Sequence, residues 1–467
     1  MIKINPEIFR EYDIRGIAEE DLNPEFVFLF GRAVGKYFLE KGEKKVLVGR
    51  DNRLSSDRIK ENLTAGLNSA GCDVVDIGTV ITPLFYYARL LYNINAGLMI
   101  TASHNPSEFN GFKVALGAGT LHGEEIKHLH RLAEKMNREE QISIAPPVPQ
   151  KVESRNPADD YLKMLTEKIK LGPHKLKVAV DCGNGTASLF AEKFLTGLGC
   201  EVIPLFCESD GRFPHHHPDP VKSANLQTLK KVVMENKADL GIGFDGDGDR
   251  LGVVDNEGNI VWGDQLMILY WREILPRYPG TTCIVEVKCS QALVEEIKKL
   301  GGKPLFYKTG HSLIKAKMKE INAVFTGEMS GHMFFADEYY GFDDAFYAAG
   351  RLLRILSHAE DSLSQMLADV PKYPSTAETR VPCSDKDKFE VVEKLRSHFK
   401  KEYEVIDIDG ARVLFPGGWG LVRASNTQPV IVARCEGITT EDLKKIARVM
   451  QDALLSHPEV GRFEWEY

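Results

Sequence analysis

A strand–helix–strand pattern returns three times along this chain, and that recurrence limits its fold more than any other feature. In the first copy, Val46-Leu-Val-Gly-Arg-Asp51 leads through a helical stretch to about Ser69 and then into Gly71-Cys72-Asp-Val-Val-Asp-Ile-Gly78. The second runs from Val178-Ala-Val-Asp181-Cys-Gly-Asn-Gly185 through a helix to about Leu198 and on to Gly199-Cys200-Glu-Val-Ile. The third opens with Cys283-Ile-Val-Glu-Val-Lys288, continues as a helix to Leu300, and reaches Gly301-Gly302-Lys-Pro-Leu-Phe. Short β-branched strands alternating with helices predict βαβ units in a parallel or mixed sheet. Three copies predict three related α/β domains in tandem, and 467 residues are too many for one core. The proline-rich stretch Gln141–Pro149 should close the first domain. Asp255–Asn259 reads as a turn, with helical residues after Gly263 opening the third domain, and Lys372–Thr376 as the next linker. From there the pattern breaks into a smaller α+β domain ending in a helix over Glu441–Leu455. The expected limits are 1–150, 151–256, 257–371 and 372–467.

Bulk properties narrow the function by exclusion. A net charge of -8 argues against a nucleic-acid binder, although a local group of Arg and Lys can still hold phosphate within an acidic chain. No apolar run has the length of a membrane span, and the opening MIKINPEIFREYDIRG has no apolar signal region. The eight cysteines are scattered without a C-x-x-C pair, which predicts buried free thiols in a reducing compartment, hence a cytoplasmic protein. His215-His-His217, ahead of Pro218-Asp-Pro220, reads as a rigid loop.

Four segments carry chemistry. In Gly243-Phe-Asp245-Gly-Asp247-Gly-Asp249-Arg250, three carboxylates alternate with glycines between two apolar stretches. Like charges so close are unfavourable unless a cation neutralises them, and hard oxygen ligands without His or Cys select Mg²⁺ or a similar ion. An EF-hand is excluded because its sixth position would be Arg250 and its twelfth Asn256. In Leu98-Met-Ile-Thr101-Ala-Ser103-His104-Asn105-Pro106, a buried strand delivers a serine to a turn that Pro106 keeps from becoming helix. Such a serine suits nucleophilic or phospho-carrier work, and no G-x-S-x-G elbow points to acyl transfer. Downstream, Asn110-Gly-Phe-Lys113 adds a cation able to meet phosphate or move a proton. In Gly327-Glu328-Met-Ser330-Gly-His332, alternation along an extended loop would turn Glu328, Ser330 and His332 toward one ligand such as adjacent sugar hydroxyls. Finally, Arg423-Ala-Ser425-Asn426-Thr427-Gln-Pro429 offers a guanidinium fork, hydroxyls and backbone N–H groups for a phosphate.

Together and in this order, these segments resemble the α-D-phosphohexomutase superfamily and its phosphomannomutase/phosphoglucomutase branch. The resemblance extends from Phe9-Arg-Glu-Tyr12-Asp-Ile-Arg15-Gly to Arg423–Pro429. It implies four domains around a central cleft, each contributing a loop, with a hinged last domain. It implies that Ser103 is a phosphoserine and that Asp245, Asp247 and Asp249, with the serine phosphate, hold one Mg²⁺ per chain. Glu328, Ser330 and His332 would read the sugar, and Arg423, Ser425, Asn426 and Thr427 would hold the non-reacting phosphate. Tyr12, Arg15, His104, Lys113, Arg250, Lys288 and His311, the last within Lys308-Thr-Gly-His311-Ser, match further cleft positions. The implied reaction moves phosphate between C1 and C6 of a hexose through a hexose 1,6-bisphosphate that is both intermediate and activator. Arg15, Lys113 and Arg250 would stabilise the moving group, with Lys113 a candidate base. The Glu-Met-Ser-Gly-His and Arg-Ala-Ser-Asn-Thr-Gln-Pro forms resemble the mannose/glucose branch rather than phosphoglucosamine mutases. Sugar phosphates are the expected partners, without nucleic acid or membrane; the residues carry no expectation of oligomeric state. Two rivals of other classes are a haloacid-dehalogenase-type phosphatase using Asp245-Gly-Asp247, and a non-catalytic metal or sugar-phosphate binder.

Overall fold

In each predicted strand–helix–strand copy the two strands pair in parallel: Lys45–Arg50 with Asp73–Thr79, Lys177–Asp181 with Glu201–Leu205, and Thr282–Glu286 with Lys303–Tyr307. The computed structural model describes residues 2–139, 151–426 and 428–467, so the linker expected at Gln141–Pro149 and the candidate residue Thr427 lie outside it. The chain divides into two compact units, Met1–Tyr270 with Ser330–Ala368, and Trp271–Met329 with Asp369–Tyr467.

Two mixed sheets organise the first unit. One runs in the order Ile14–Ile17, Phe109–Leu116, Ala96–Ile100, Lys45–Arg50, Asp73–Thr79, Val152–Ser154. The other runs Ile260–Val261, Leu251–Asp255, Leu240–Phe244, Lys177–Asp181, Glu201–Leu205. Their inner strands follow one plan, with two parallel crossover strands, a third parallel strand beside them, and an antiparallel return. The third parallel strand is Ala96–Ile100 in one sheet and Leu240–Phe244 in the other, and every residue of both is buried. Such unbroken apolar runs belong to sheets covered on both faces. The loop that follows holds Ser103 in the first sheet and Asp245, Asp247 and Asp249 in the second. Repetition therefore places the serine and the acidic loop at equivalent points of two related folds. By chain order, the loop after Phe325–Gly327 continues the series at Glu328–His332.

Local chemistry explains the surrounding elements. The helix Pro24–Glu40 begins at Asn23, whose side chain accepts the Phe26 N–H, and Pro24 occupies the first turn, where no amide partner is needed. In the second repeat the predicted single helix is a short 3₁₀ turn, Thr186–Leu189, followed by Ala191–Gly197, because the loop after Asp181 spends its first residues on backbone bonds to neighbouring loops. The three histidines each take a separate role: His215 stacks on Phe206 with ring centres 4.0 Å apart, His216 reaches Asp181 at 3.1 Å, and His217 uses its carbonyl to accept from Asn225. The next carbonyl, of Pro218, accepts the Gly246 N–H at 3.2 Å, so this rigid loop supports the acidic one.

In the second unit, the parallel pair Thr282–Glu286 and Lys303–Tyr307 is joined by a helix, Gln291–Lys299, capped by Ser290. The C-terminal domain is a five-stranded antiparallel sheet in the order Thr379–Pro382, Val430–Gly437, Gly418–Ala424, Ala411–Phe415, Glu404–Ile406. Two helices, Lys388–Phe399 and Thr440–Leu455, cover it through Leu395, Ile446 and Met450. Arg412 is fully buried with its guanidinium 3.7 Å from the Trp419 ring centre, and it donates to the carbonyls of Val287 and Cys289. All eight cysteines carry free thiols, seven of them buried. Among the described residues, no helix is long and apolar enough to cross a membrane.

Candidate active site

Ser103 leaves its strand in the left-handed region, φ +51°, which an L-residue adopts only when its surroundings hold it there. Thr101 Oγ1 accepts the Ser103 N–H at 2.9 Å. The larger constraint is Arg53, 3% exposed, which donates to the carbonyls of Ser103 and Asn105 at 2.7 Å each and to that of Phe109 at 3.0 Å. Asp51, equally buried, fixes Arg53 through Nε at 3.0 Å. Motif reading missed this pair; an Asp-x-Arg just past the first parallel strand was its only trace in the sequence. Arg15 approaches from the strand Ile14–Ile17, held by Asp13 at 2.7 Å, and reaches Asn105 Oδ1 at 3.1 Å in the same loop.

The acidic loop lies directly against the serine. Ser103 Oγ donates to Asp245 Oδ2 at 2.7 Å, although 142 residues separate them. The contact is possible because residue 246 is glycine: a Cβ there would lie 2.3 Å from the Ser103 carbonyl oxygen. Asp245, Asp247 and Asp249 are fully buried. Asp245 Oδ1 accepts the N–H groups of Asp249 and Arg250 at 3.0 and 3.1 Å. Lys113, 2% exposed, donates to Asp247 Oδ2 at 2.9 Å and to Asp249, while Thr82 Oγ1 donates to Asp247 at 2.6 Å.

Electrostatics follow from this crowding. Burial, then the charges of Asp249 and Asp247, push Asp245 well above the usual carboxylate range. Burial would raise Asp249 as well, but Lys113 reverses the direction and lowers it. Burial works against the Lys113 ammonium, yet Asp247 and Asp249 outweigh it and hold its pKa well above the ordinary value. Lys113 is thus held as an ammonium between the two carboxylates in this arrangement. One oxygen from each of the three aspartates lies within 4.8 Å of the others. Asp247 Oδ1 and Asp249 Oδ1 are buried and accept no hydrogen bond among the described residues. An all-oxygen, carboxylate-rich set with unused acceptors suits a hard divalent ion.

One imidazole borders the serine, and a second meets Arg250. His104 Nδ1 lies 3.3 Å from Ser103 Oγ, and burial followed by the charges of Arg250 and Arg15 holds it well below its ordinary pKa, hence neutral at pH 7. His332 Nε2 accepts from Arg250 Nε at 2.9 Å. The segment before it is not extended as alternation assumed. Residues 329–330 form a turn and Gly331 has φ +89°, so the side chains of Glu328, Ser330 and His332 do not alternate on one face. Ser330 is half-buried in the turn, and Tyr12 is half-buried just before the strand carrying Arg15.

The remaining candidates belong to the second unit. Lys288 donates to Glu378 at 2.8 Å and lies 3.9 Å from Glu286, whose carboxylate accepts from Thr309 Oγ1. Asp409 Oδ2 accepts from both Thr309 N and Arg423 Nε, at 3.1 and 2.8 Å. Glu328 accepts the Gly310 N–H at 2.7 Å, next to His311 at the start of the helix His311–Ile321. Ser425 is buried and accepts the Gln428 N–H at 3.1 Å, while Asn426 is half-buried beside it. Lys288, Glu328, Arg423 and their partners thus form a second polar cluster.

The Lys288–Glu378 pair makes one prediction. The charge of Lys288 lowers Glu378 from its ordinary 4.5 to about 2. A depressed carboxylate stabilises the fold fully above about 4.5, and that contribution is lost as pH falls through about 2. Glu378→Gln should therefore cost about 1–2 kcal/mol at pH 7, with the gap to wild type closing as the pH is lowered from 4.5 toward 2. Urea unfolding across that pH range measures it.

Comparison with known proteins gives this geometry its place. Four domain profiles of one family match in order: phosphoglucomutase/phosphomannomutase alpha/beta/alpha domain I over residues 6–142, domain II over 159–258, domain III over 262–373, and the C-terminal domain over 378–453. The chain belongs to the phosphoglucomutase/phosphomannomutase family. Among its relatives in that family is a phosphomannomutase/phosphoglucomutase of Pseudomonas putida, 47% identical over 96% of this chain and 95% of the relative. A phosphoglucomutase of Neisseria meningitidis is 41% identical over 98% and 99%. A crystal structure of a phosphoglucomutase/phosphomannomutase family protein from Burkholderia thailandensis superposes with a TM-score of 0.89 at 40% identity, covering 97% of this chain and 98% of that one. Like other members of the phosphoglucomutase/phosphomannomutase family, the chain is an enzyme, an isomerase working by phosphoryl transfer within its substrate. Its fold is three α/β domains followed by a distinct C-terminal domain. The phosphatase and non-catalytic readings fall with that assignment.

Proposed function

We propose that the chain interconverts the 1- and 6-phosphates of mannose and glucose through a phosphoserine at Ser103. The observation that carries this reading is the 2.7 Å contact between Ser103 Oγ and the buried three-aspartate loop. Asp245, Asp247 and Asp249 would hold Mg²⁺, which when bound neutralises charge on the serine phosphate and polarises its phosphorus. The protein's own residues do the rest. The phosphoryl group leaves Ser103 Oγ as its new bond forms to the free hydroxyl of the bound sugar monophosphate. Arg15, Lys113 and Arg250 supply positive charge along that path. The hydroxyl proton passes to an imidazole, since neutral His104 lies 3.3 Å from Ser103 Oγ while Lys113 is held protonated. The resulting 1,6-bisphosphate turns, and its other phosphate returns to Ser103. Arg423, Ser425, Asn426 and Thr427 would hold the phosphate that is not reacting, and Tyr12, Lys288, His311, Glu328, Ser330 and His332 would contact the sugar.

Two measurements test the reading. Treatment with glucose 1,6-bisphosphate labelled in its phosphates should leave acid-stable label on Ser103; an acid-labile label on Asp245 would overturn it. The ratio of kcat/KM values then separates the substrates. Mannose 1-phosphate and glucose 1-phosphate should agree within about tenfold, because they differ at one hydroxyl, whereas glucosamine 1-phosphate should fall at least about tenfold below both. A preference for glucosamine 1-phosphate would reassign the chain to phosphoglucosamine mutation.

A further inference from the structure

Cys207 is the one thiol of the eight that is not fully buried, and its neighbour is another cysteine. Its sulfur lies 3.5 Å from that of Cys182, which is fully buried. The strands Lys177–Asp181 and Glu201–Leu205 run parallel with Asp181 opposite Leu205, so Cys182 is the first residue past one strand end. Past the other, Phe206 takes the left-handed conformation at φ +50° and turns the chain. The turn brings Cys207 Sγ to 3.4 Å from the Leu205 carbonyl oxygen and 3.6 Å from that of Val180. It is fixed by the Phe206 carbonyl, which accepts the Asn184 N–H at 2.9 Å. The bond from Cys182 outweighs burial and holds Cys207 below the ordinary thiol range, favouring its thiolate, while the same bond and then burial hold Cys182 well above it.

We propose that Cys182 and Cys207 are a redox-modification site, at which a hydroperoxide forms a reversible disulfide that slows the enzyme. The half-buried Cys207 thiolate attacks the peroxide oxygen, the O–O bond breaks, and the departing oxygen leaves as water, giving a sulfenic acid on Cys207. The Cys182 sulfur then attacks the Cys207 sulfur; the S–S bond forms as the S–O bond breaks, and the hydroxide leaves with the Cys182 proton as a second water. The two thiols supply the two electrons that reduce the peroxide. The sulfurs must close by about 1.5 Å from their 3.5 Å separation to reach a disulfide bond length.

That closure reaches the acidic loop through the residues after Cys182. The Thr186 N–H donates to the Gly246 carbonyl at 2.9 Å, and a Cβ at Gly185 would lie 3.0 Å from the Gly246 Cα. Gly246 is the same residue that presses on the Ser103 carbonyl. Drawing Cys182 toward Cys207 shifts the backbone that supports Gly246, and with it the approach of the acidic loop to the serine. The effect on turnover rests on the reading that this approach carries the chemistry; the bridge itself does not.

The full-length enzyme treated with hydrogen peroxide in about tenfold molar excess, then blocked with N-ethylmaleimide and digested, tests the proposal. Peptide mass mapping should show Cys182 linked to Cys207, and kcat with glucose 1-phosphate should fall at least about tenfold and recover with dithiothreitol. Cys207→Ser should keep the untreated kcat within about twofold and resist the peroxide. In Cys182→Ser the sulfenic acid has no resolving thiol, so dimedone should label Cys207 there and not in the wild type. Absence of the 182–207 link in the treated wild type would overturn the proposal by itself, whether or not either variant folds. So would a link that leaves kcat within twofold, or equal inactivation of Cys207→Ser. Absence of label on Ser103 would instead count against the phosphoserine reading, leaving the mapped bridge to stand separately.

Discussion

Ser103→Ala should lower kcat by at least about 10⁴-fold while the protein stays folded. The expected loss is that large because the hydroxyl would be the covalent carrier. The fold should survive because alanine is smaller and adopts the position's φ of +51° at a cost similar to that of serine. Arg53 would still clamp the loop carbonyls. The stability change should be about 1–2 kcal/mol, from one lost hydrogen bond to Asp245. A coupled assay for glucose 6-phosphate and a urea unfolding curve measure the two quantities together. Turnover close to wild type in a folded variant would end the phosphoserine reading.

Lys113→Met should show a different signature, in which stability depends on the metal. Lys113 lies buried between Asp247 and Asp249, and removing it leaves two buried carboxylates without their ammonium. Breaking such a pair costs about 3–5 kcal/mol. A divalent ion binding the same carboxylates would offset part of that by mass action, about 2–3 kcal/mol at 100-fold excess over Kd. Thermal unfolding should therefore show a larger deficit in EDTA than in millimolar Mg²⁺. The deficit in EDTA should also shrink as pH falls, since protonating the stranded carboxylates removes the unpaired charge. Activity should drop about 100- to 1,000-fold even with Mg²⁺ present, because a fixed cation beside the moving phosphoryl group is gone. Equal deficits in EDTA and Mg²⁺ would mean that the lysine and the ion do not share these ligands.

The contrast between Lys113 and Arg53 shows which residues a sequence announces. Lys113 sits four residues into a recognisable segment after the serine turn, whereas Arg53 follows a strand as a single charge in Asp51-Asn-Arg53-Leu-Ser-Ser, much like any solvated turn. Only burial distinguishes it, with five donor contacts satisfied inside the protein. Thr82 was silent for the same reason, because its partner Asp247 lies 165 residues further along the chain. The turn at residues 329–331 failed in the opposite way. Its polar residues were seen, but alternation was assumed where Gly331 adopts a positive φ and breaks it.

Properties that depend on neighbours in the chain were settled by the order of residues alone. Apolar runs of strand length, glycine-marked turns and helical spacing determine the three parallel strand pairs, because each is a local balance of side-chain burial and backbone conformation. Like charges packed between two such strands also mark a candidate cation site without further help. Tertiary structure decided which loops meet. Two equivalent loops of two repeats come together because glycine at 246 lets one backbone press against the other, and that contact puts Ser103 and Asp245 at hydrogen-bonding distance. It also set the Lys113 ammonium between two buried carboxylates that lie more than 130 residues further along the chain, a matter of distance in space.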